Sequence, residues 1–223
     1  MKKNVLFGVI TLLSGSLLAA DSSAKNDVAK AAASLGNQVN YSWTTTVEIG
    51  NNSRFKPGPT EGKTEKNGYT TLSMSFGDNT TEAVLKGTNG AIKLQDQDWQ
   101  SLTEAAKDNG NGGFNPAMFL ARMVQNYKVP AIEAADLAGE ATDLKMGTNG
   151  ISGDLTEDGA KGLLSFRGRR GGNGPDISNA KGSVTFWVKN GVLAKYQTHV
   201  SGTVSFNGND RDVDRTTTVE IKD

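Results

Sequence analysis

Residues 41–49 read YSWTTTVEI, a segment in which large apolar side chains alternate with polar ones. Tyr41, Trp43, Val47 and Ile49 fall on one side of this alternation, and the other side is polar. A period of two predicts a β-strand with one buried face. The same alternation returns at Leu72, Met74 and Phe76, at Ala83 and Leu85, at Ile92 and Leu94, at Val184, Phe186 and Val188, at Ala194, Tyr196 and Val200, at Val204 and Phe206, and at Val213, Val219 and Ile221.

The turn residues between these segments favour hairpins. Eight Asn-Gly pairs occur in the chain, and both residues tolerate the positive φ of a tight hairpin turn. The pairs that begin at 67, 89, 190 and 207 lie between alternating segments, which predicts that consecutive strands pair antiparallel. Residues 58–64, GPTEGKT, end like a phosphate-binding P-loop but have one residue too few between the glycines, and Pro57 and Pro59 stand where a strand should lead in, so we expect a turn-rich loop.

Helical spacing is found in two parts of the chain. Residues 22–38 carry Val28, Ala31, Ala32 and Leu35 on one side, which predicts a short amphipathic helix. A helical insertion is expected at about residues 115–166, in three segments. The first begins at Asn115-Pro116, with Asn115 as its N-cap, and the second begins at Pro130. The third, a weaker pattern, covers residues 155–166 with Thr156 as its cap.

These elements together predict an α+β fold. The helices need an apolar surface to cover, and the buried face of the sheet supplies it. We expect one large antiparallel, curved, half-barrel-like sheet with helices packed on one face. No linker-like change of composition divides residues 21–223, so they are expected to form a single domain.

The first twenty residues, MKKNVLFGVITLLSGSLLAA, resemble an export signal. Lys2 and Lys3 precede an apolar run from Val5 to Leu18, and small Ala19 and Ala20 follow it. That run is shorter than the roughly 20 apolar residues of a membrane-spanning helix. We therefore expect a cleavable signal peptide at residues 1–20 and a protein that is soluble after cleavage, in the bacterial periplasm or outside the cell.

Composition excludes several kinds of chemistry. The chain has no cysteine and one histidine, which excludes disulfides and cysteine nucleophiles and leaves few ligands for a metal centre. Its 24 basic and 24 acidic side chains balance, whereas nucleic-acid binding needs a basic surface. We expect no metal, no cofactor and no nucleic-acid partner.

No catalytic constellation stands out. His199 alternates with the apolar residues of its strand and is expected to face solvent, and no Gly-x-Ser-x-Gly motif is present. Ser-x-x-Lys occurs at Ser22 and Ser178 without the motifs that accompany it in acyl-enzymes. A hydrolase is therefore the least favoured class, and no catalytic residue is assigned.

The remaining candidates are the apolar side chains expected between sheet and helices. If they bind a ligand, the binding residues are Trp43, Leu72, Met74, Phe76, Phe119, Met123, Phe186 and Tyr196. Two interpretations remain open, a dry and close-packed core or an apolar cavity that holds an acyl chain. A side-chain pattern alone does not distinguish them.

The order of these elements resembles that of a known family. The unit FWVKNGVLAKY, residues 186–196, is a strand, an Asn-Gly turn and a strand. Together with the signal, the N-terminal helix and the helical insertion, it resembles the periplasmic lipoprotein-localisation-factor superfamily and its lipoprotein-carrier relatives. The resemblance is architectural. It implies an unclosed antiparallel half-barrel with helices on its concave side, a place where several members shield acyl chains.

The resulting hypothesis is an exported, non-enzymatic protein that binds a lipidic or apolar ligand, or an acylated partner protein, between sheet and helices. The alternative is a structural or protein-interaction module of the cell envelope, which would have an envelope partner and a dry core.

Overall fold

The computed structural model describes residues 16–50, 57–107, 115–165, 175–206 and 208–222. Most of the predicted signal peptide, residues 1–15, lies outside the described part. The elements are α1 Ser16–Gly36, β1 Asn40–Ile49, β2 Thr60–Glu65, β3 Thr70–Phe76, β4 Asn79–Lys86, β5 Asn89–Lys93, β6 Gln100–Ser101, α2 Leu102–Ala105, α3 Pro116–Gln125, α4 Pro130–Glu140, β7 Ala141–Gly147, β8 Gly150–Leu155, α5 Glu157–Leu164, β9 Asp176–Lys189, β10 Val192–Phe206 and β11 Asn209–Lys222.

All eleven described strands form one antiparallel sheet in the order β6-β5-β4-β3-β2-β1-β11-β10-β9-β8-β7. The sheet is not closed, and β6 and β7 are its edges. Together with the helices packed on one side, this confirms the predicted α+β class and its large antiparallel sheet.

The first and last strands meet in the middle of this sheet. The hexapeptide TTTVEI occurs at residues 44–49 and again at 216–221, and the two copies pair with each other. Thr46 lies opposite Thr218, and Val47 lies opposite Thr217. This register places position three of one copy opposite position three of the other, so the pairing is two-fold symmetric.

Strand register places the apolar side chains in rows across one face, which we call the inner face. One row consists of Ile92, Ala83, Leu72, Gly62, Trp43 and Ile221. The neighbouring row consists of Met74, Thr60, Thr45, Val219, Tyr196, Phe186 and Ile151. Most of the apolar members of both rows are buried, so the predicted alternation is confirmed on both sides of β1.

The helices cover this inner face. α1 packs against α4, β7 and β10, and it buries Val28 and Leu35 completely. α5 packs against β9 and β10, where Leu164 lies so close to Gly202 that an added Cβ would stand 2.7 Å from its Cδ1 atom. The predicted starts of α3 and α5 are confirmed, because Asn115 and Thr156 accept hydrogen bonds from the backbone amides of Met118 and Gly159.

Two sequence expectations are wrong. The insertion at 115–166 is not wholly helical, since it contains the hairpin β7–β8. The apolar period fails there because β7 has a register shift between Thr142 and Lys145, with Asp143 at φ 51°. Residues 58–64 are not a loop, because Thr60–Glu65 forms β2.

One predicted turn also lies two residues away from its expected place. The turn between β4 and β5 is formed by Gly87 and Thr88, whereas Asn89 and Gly90 already belong to β5. Gly87 adopts φ 60°, the left-handed conformation that such a turn requires.

Candidate functional site

The structure places the predicted ligand-binding residues at different depths beneath the helices. Trp43 and Leu72 share one inner-face row, and Met74, Phe186 and Tyr196 lie in the next. These five side chains are buried. Phe76 and Met123 are partly buried against the core, and Phe119 on α3 is 38% exposed.

Several of the buried aromatic side chains are joined by hydrogen bonds to α4 or to the segment between α3 and α4. The Trp43 indole N–H donates to the Tyr127 hydroxyl at 3.0 Å, and the two rings are stacked with centroids 6.3 Å apart. The Tyr196 hydroxyl donates to Oε2 of Glu133 on α4 at 2.6 Å. We call this group the aromatic cluster; its members are Tyr41, Trp43, Tyr127, Tyr196 and Glu133.

Tyr41 completes the cluster. Its ring lies 5.6 Å from that of Trp43, and its hydroxyl accepts a hydrogen bond of 3.4 Å from the Ala131 amide at the start of α4. The sequence pattern does not identify Tyr41, Tyr127 or Glu133 as parts of the site. Tyr41 had a signal, since it alternates with Trp43, but partners more than 80 residues away leave no local pattern.

Burial also changes the acidity of these phenols. Desolvation raises the pKa of Tyr196 well above its usual value, and the nearby negative charge of Glu133 raises it further. The pKa of Tyr127 is raised for the same two reasons. Desolvation also raises the pKa of Tyr41, and the hydrogen bond from the Ala131 amide opposes this effect. The three phenols therefore stay neutral, as hydrogen-bonding groups inside an apolar layer.

Gly62 makes room for the Trp43 ring. A Cβ atom at Gly62 would lie 2.1 Å from Cζ2 of Trp43. This distance is much shorter than a van der Waals contact, and the rigid ring cannot bend away. We expect Gly62→Ala to lower the free energy of unfolding by about 1–3 kcal/mol, because the indole must move. Chemical denaturation measures the loss, and near-ultraviolet circular dichroism reports the displaced ring.

Gly139 in α4 provides a control, because a Cβ atom added there would have no neighbouring atom within 4 Å. Gly139→Ala should leave the stability unchanged or raise it slightly, since alanine favours a helix. Equal stability of the Gly62→Ala variant and the unsubstituted protein would contradict the packing described.

The apolar inner face continues beyond its buried part at one end of the sheet. β1 and β3 end there, β9 and β11 begin there, and β10 ends beside them. Partly exposed apolar side chains lie on the inner face at this end, which we call the open end: Val47, Ile49, Phe76, Val204 and Val213. Burying such side chains would be favourable by about 25 cal/mol for each Å² removed from water.

α5 lies next to the open end. Arg215 faces inward there, opposite Ile49 and Val200, and its Nη2 atom donates to the Leu163 carbonyl at 2.5 Å. The guanidinium therefore links β11 to the last turn of α5, in addition to the packing of Leu164 over Gly202.

Groups with catalytic potential are found away from this site. His199 lies on the opposite, outer face, where its Nε2 atom is 2.9 Å from Oδ1 of Asp214 and half of its side chain is exposed. Ser178 and Lys181 are exposed on β9. Among the described residues, no group of three or more acidic or histidine side chains is arranged to hold a metal ion.

The geometry defines a class, an α+β protein with an open antiparallel sheet whose apolar face is covered by helices. No protein-family model matches the chain, and no curated protein matches it in sequence. Among solved structures, it is similar to the lipoprotein LppX of Mycobacterium tuberculosis, with a TM-score of 0.47 and 10% identity over 91% of this chain and 94% of that one.

A second similar structure is that of LprF from Mycobacterium bovis. The TM-score is 0.45 with 10% identity, over 91% of this chain and 92% of that one. The resemblance to both is one of architecture. No helix in the described part of the chain is both long and apolar enough to cross a membrane.

Proposed function

We propose that the protein is a non-enzymatic binder of a lipidic or apolar ligand, which it holds between sheet and helices at the open end. The observation that carries the proposal is the set of partly exposed apolar side chains that continues a buried apolar face. An exposed apolar surface that adjoins a core is typical of a binding site. The ligand class is an acyl chain, free or attached to a partner protein.

Each predicted ligand-binding residue has a proposed role that depends on how deeply it is buried. Phe76 belongs to the open end, and Met74 adjoins it in the same strand. The more deeply buried Trp43, Leu72, Phe186 and Tyr196 form the floor. Phe119 and Met123 cover the ligand from α3, which the aromatic cluster holds to the sheet through Tyr127.

The proposal includes a location. The signal-like residues 1–20 would direct the chain out of the cytoplasm, to the periplasm or the cell exterior. A soluble carrier in that compartment would keep an acyl chain out of water.

Mass spectrometry of the native protein, purified without detergent and then extracted with organic solvent, tests the proposal. We expect extra mass that extracts as a lipid. We also expect Val47→Asp to abolish it, because a carboxylate on the inner face of β1 makes the open end costly for an acyl chain.

Val188→Asp is the matched control. Val188 is also a valine in a strand of the sheet, but it is 39% exposed and lies at the opposite end of the sheet, next to the Asn190-Gly191 turn. This variant should keep the lipid. A protein that carries no extra mass, and takes up none from phospholipid vesicles, would refute the proposal.

A second candidate, an interaction module of the envelope, is favoured by one observation. Met146 is 70% exposed on β7, which is an edge of the sheet. Edge strands offer unpaired backbone groups to a partner strand. If this function is correct, the protein has no bound lipid, and Met146→Asp releases a protein partner that co-purifies with the unsubstituted chain.

A further inference from the structure

A groove crosses the outer face of the sheet, on the side opposite the helices. Its volume is about 520 Å³, and it extends over β1 to β4. The short side chains of Ser42, Thr71 and Ser73 form its floor, together with the backbone at Gly62. Longer side chains surround this floor: Glu61, Lys63, Glu82, Trp99 and Lys222.

A second groove of about 360 Å³ adjoins the first, and Val84 lines both. An exposed aromatic ring borders each one. Trp99, 48% exposed, lies beside the first groove, and Tyr69, 53% exposed, lies beside the second. Lys86 Nζ is 4.7 Å from the Tyr69 ring centroid. The sheet therefore presents two aromatic rings along one continuous outer surface.

The polar groups of the first groove indicate the charge of its ligand. Two carboxylates, Glu61 and Glu82, balance two ammonium groups, Lys63 and Lys222, and Lys222 is paired with Glu61 at 3.2 Å. Such a balance attracts neither an anion nor a cation. The hydroxyls on the floor both donate and accept hydrogen bonds, as do the hydroxyls of a sugar.

We propose that this outer surface binds a neutral oligosaccharide. The faces of Trp99 and Tyr69 carry the negative part of the ring quadrupole, which attracts the positively polarised C–H groups of a sugar ring. Serine and threonine hydroxyls, carboxylates and ammonium groups then bind the sugar hydroxyls between the two rings.

This site is independent of the proposed lipid site. The same strands contribute to both, but alternate side chains point to opposite faces. Trp43 and Leu72 are buried on the inner face, whereas Ser42, Thr71 and Ser73 point outward. A failure to bind saccharide would leave the lipid proposal untouched, and the converse also holds.

The three tryptophans of the chain allow a direct test, because each indole N–H gives its own signal in nuclear magnetic resonance spectra. Cellotetraose, maltotetraose and chitotetraose are added separately, at millimolar concentration, to the purified full chain. We expect the Trp99 signal to shift with saturation for at least one of them. The signal of Trp187, on the other half of the sheet, should stay in place.

Substitutions, with binding measured by isothermal titration calorimetry, test whether the two aromatic rings hold the sugar. Trp99→Ala and Tyr69→Ala should each weaken binding of the active tetrasaccharide at least about tenfold, the scale expected for an aromatic binding residue. Trp187→Ala is the matched control, because Trp187 is only partly buried and lies on the other half of the sheet. It should bind like the unsubstituted chain.

Three results would overturn the proposal. The first is a Trp99 signal that none of the tetrasaccharides shifts. The second is unchanged binding by Trp99→Ala, with thermal unfolding showing that the variant is folded. The third is the same Trp99 shift on addition of an uncharged Gly-Ser octapeptide, which would make the surface a peptide groove.

Discussion

Replacement of Trp43 by alanine is expected to lower the free energy of unfolding by about 4 kcal/mol, within the range measured for large aromatic residues in protein cores. Trp43 is 1% exposed and lies at the centre of the inner face, over Gly62 and against Tyr41 and Tyr127. Its removal leaves a cavity, and the Tyr127 hydroxyl loses its hydrogen-bond donor. Urea denaturation followed by far-ultraviolet circular dichroism measures the change.

Two further variants separate the contribution of the buried indole ring to the free energy of unfolding from that of its N–H group. Trp43→Phe keeps a ring but removes the N–H donor, and it should cost clearly less than Trp43→Ala. Trp187→Ala removes a partly buried indole from the outer face and should cost about 1 kcal/mol or less. A Trp43→Ala variant that loses no more stability than Trp187→Ala would show that the indole does not pack as described.

Alkaline pH is expected to unfold the protein steeply. A tyrosine whose pKa is raised in the folded state contributes its full stability below the unfolded pKa of about 10 and loses it as the pH rises further. Tyr127 and Tyr196 both have raised pKa values, caused first by burial and then by Glu133. Each contributes a loss of about 1.4 kcal/mol per pH unit above pH 10.

The two tyrosines together predict a decline of about 3 kcal/mol per pH unit above pH 10. Tyr41 adds less, because the hydrogen bond from Ala131 opposes the rise of its pKa. Urea denaturation at successive pH values gives the slope, and phenolate absorbance should appear together with unfolding. Tyr196→Phe removes one of the two groups and should reduce the slope by about half. A free energy of unfolding that stays constant up to pH 11 would show that the two phenols are not buried.

Local periodicity was enough to predict the inner face. Trp43 and Met74 alternate with polar residues in their own strands, and burial follows this alternation directly. The caps of α3 and α5 were predictable for the same reason, since Asn115 and Thr156 act on amides three residues away.

Features that depend on distant contacts were not predictable in this way. β2 has few apolar side chains, and its Gly62 is needed because the Trp43 ring occupies the space where a side chain would lie. The aromatic cluster joins Trp43 to Tyr127 and Tyr196 to Glu133, pairs that only the folded sheet brings together. The hairpin β7–β8 has a bulge at Asp143 that disrupts the period of two.

The two-fold symmetric pairing of the TTTVEI copies has a consequence during synthesis. β1 can pair with β2 early, but its other edge stays bare until the ribosome has made β11. Because the hexapeptide of β1 is complementary to its own copy, two unfinished chains can pair through their β1 strands in the same register, with Thr46 opposite Thr46. Completion of the chain supplies β11 as the partner of β1, which favours the monomer over aggregation. A chaperone that covers residues 44–49 of the nascent chain would have the same effect.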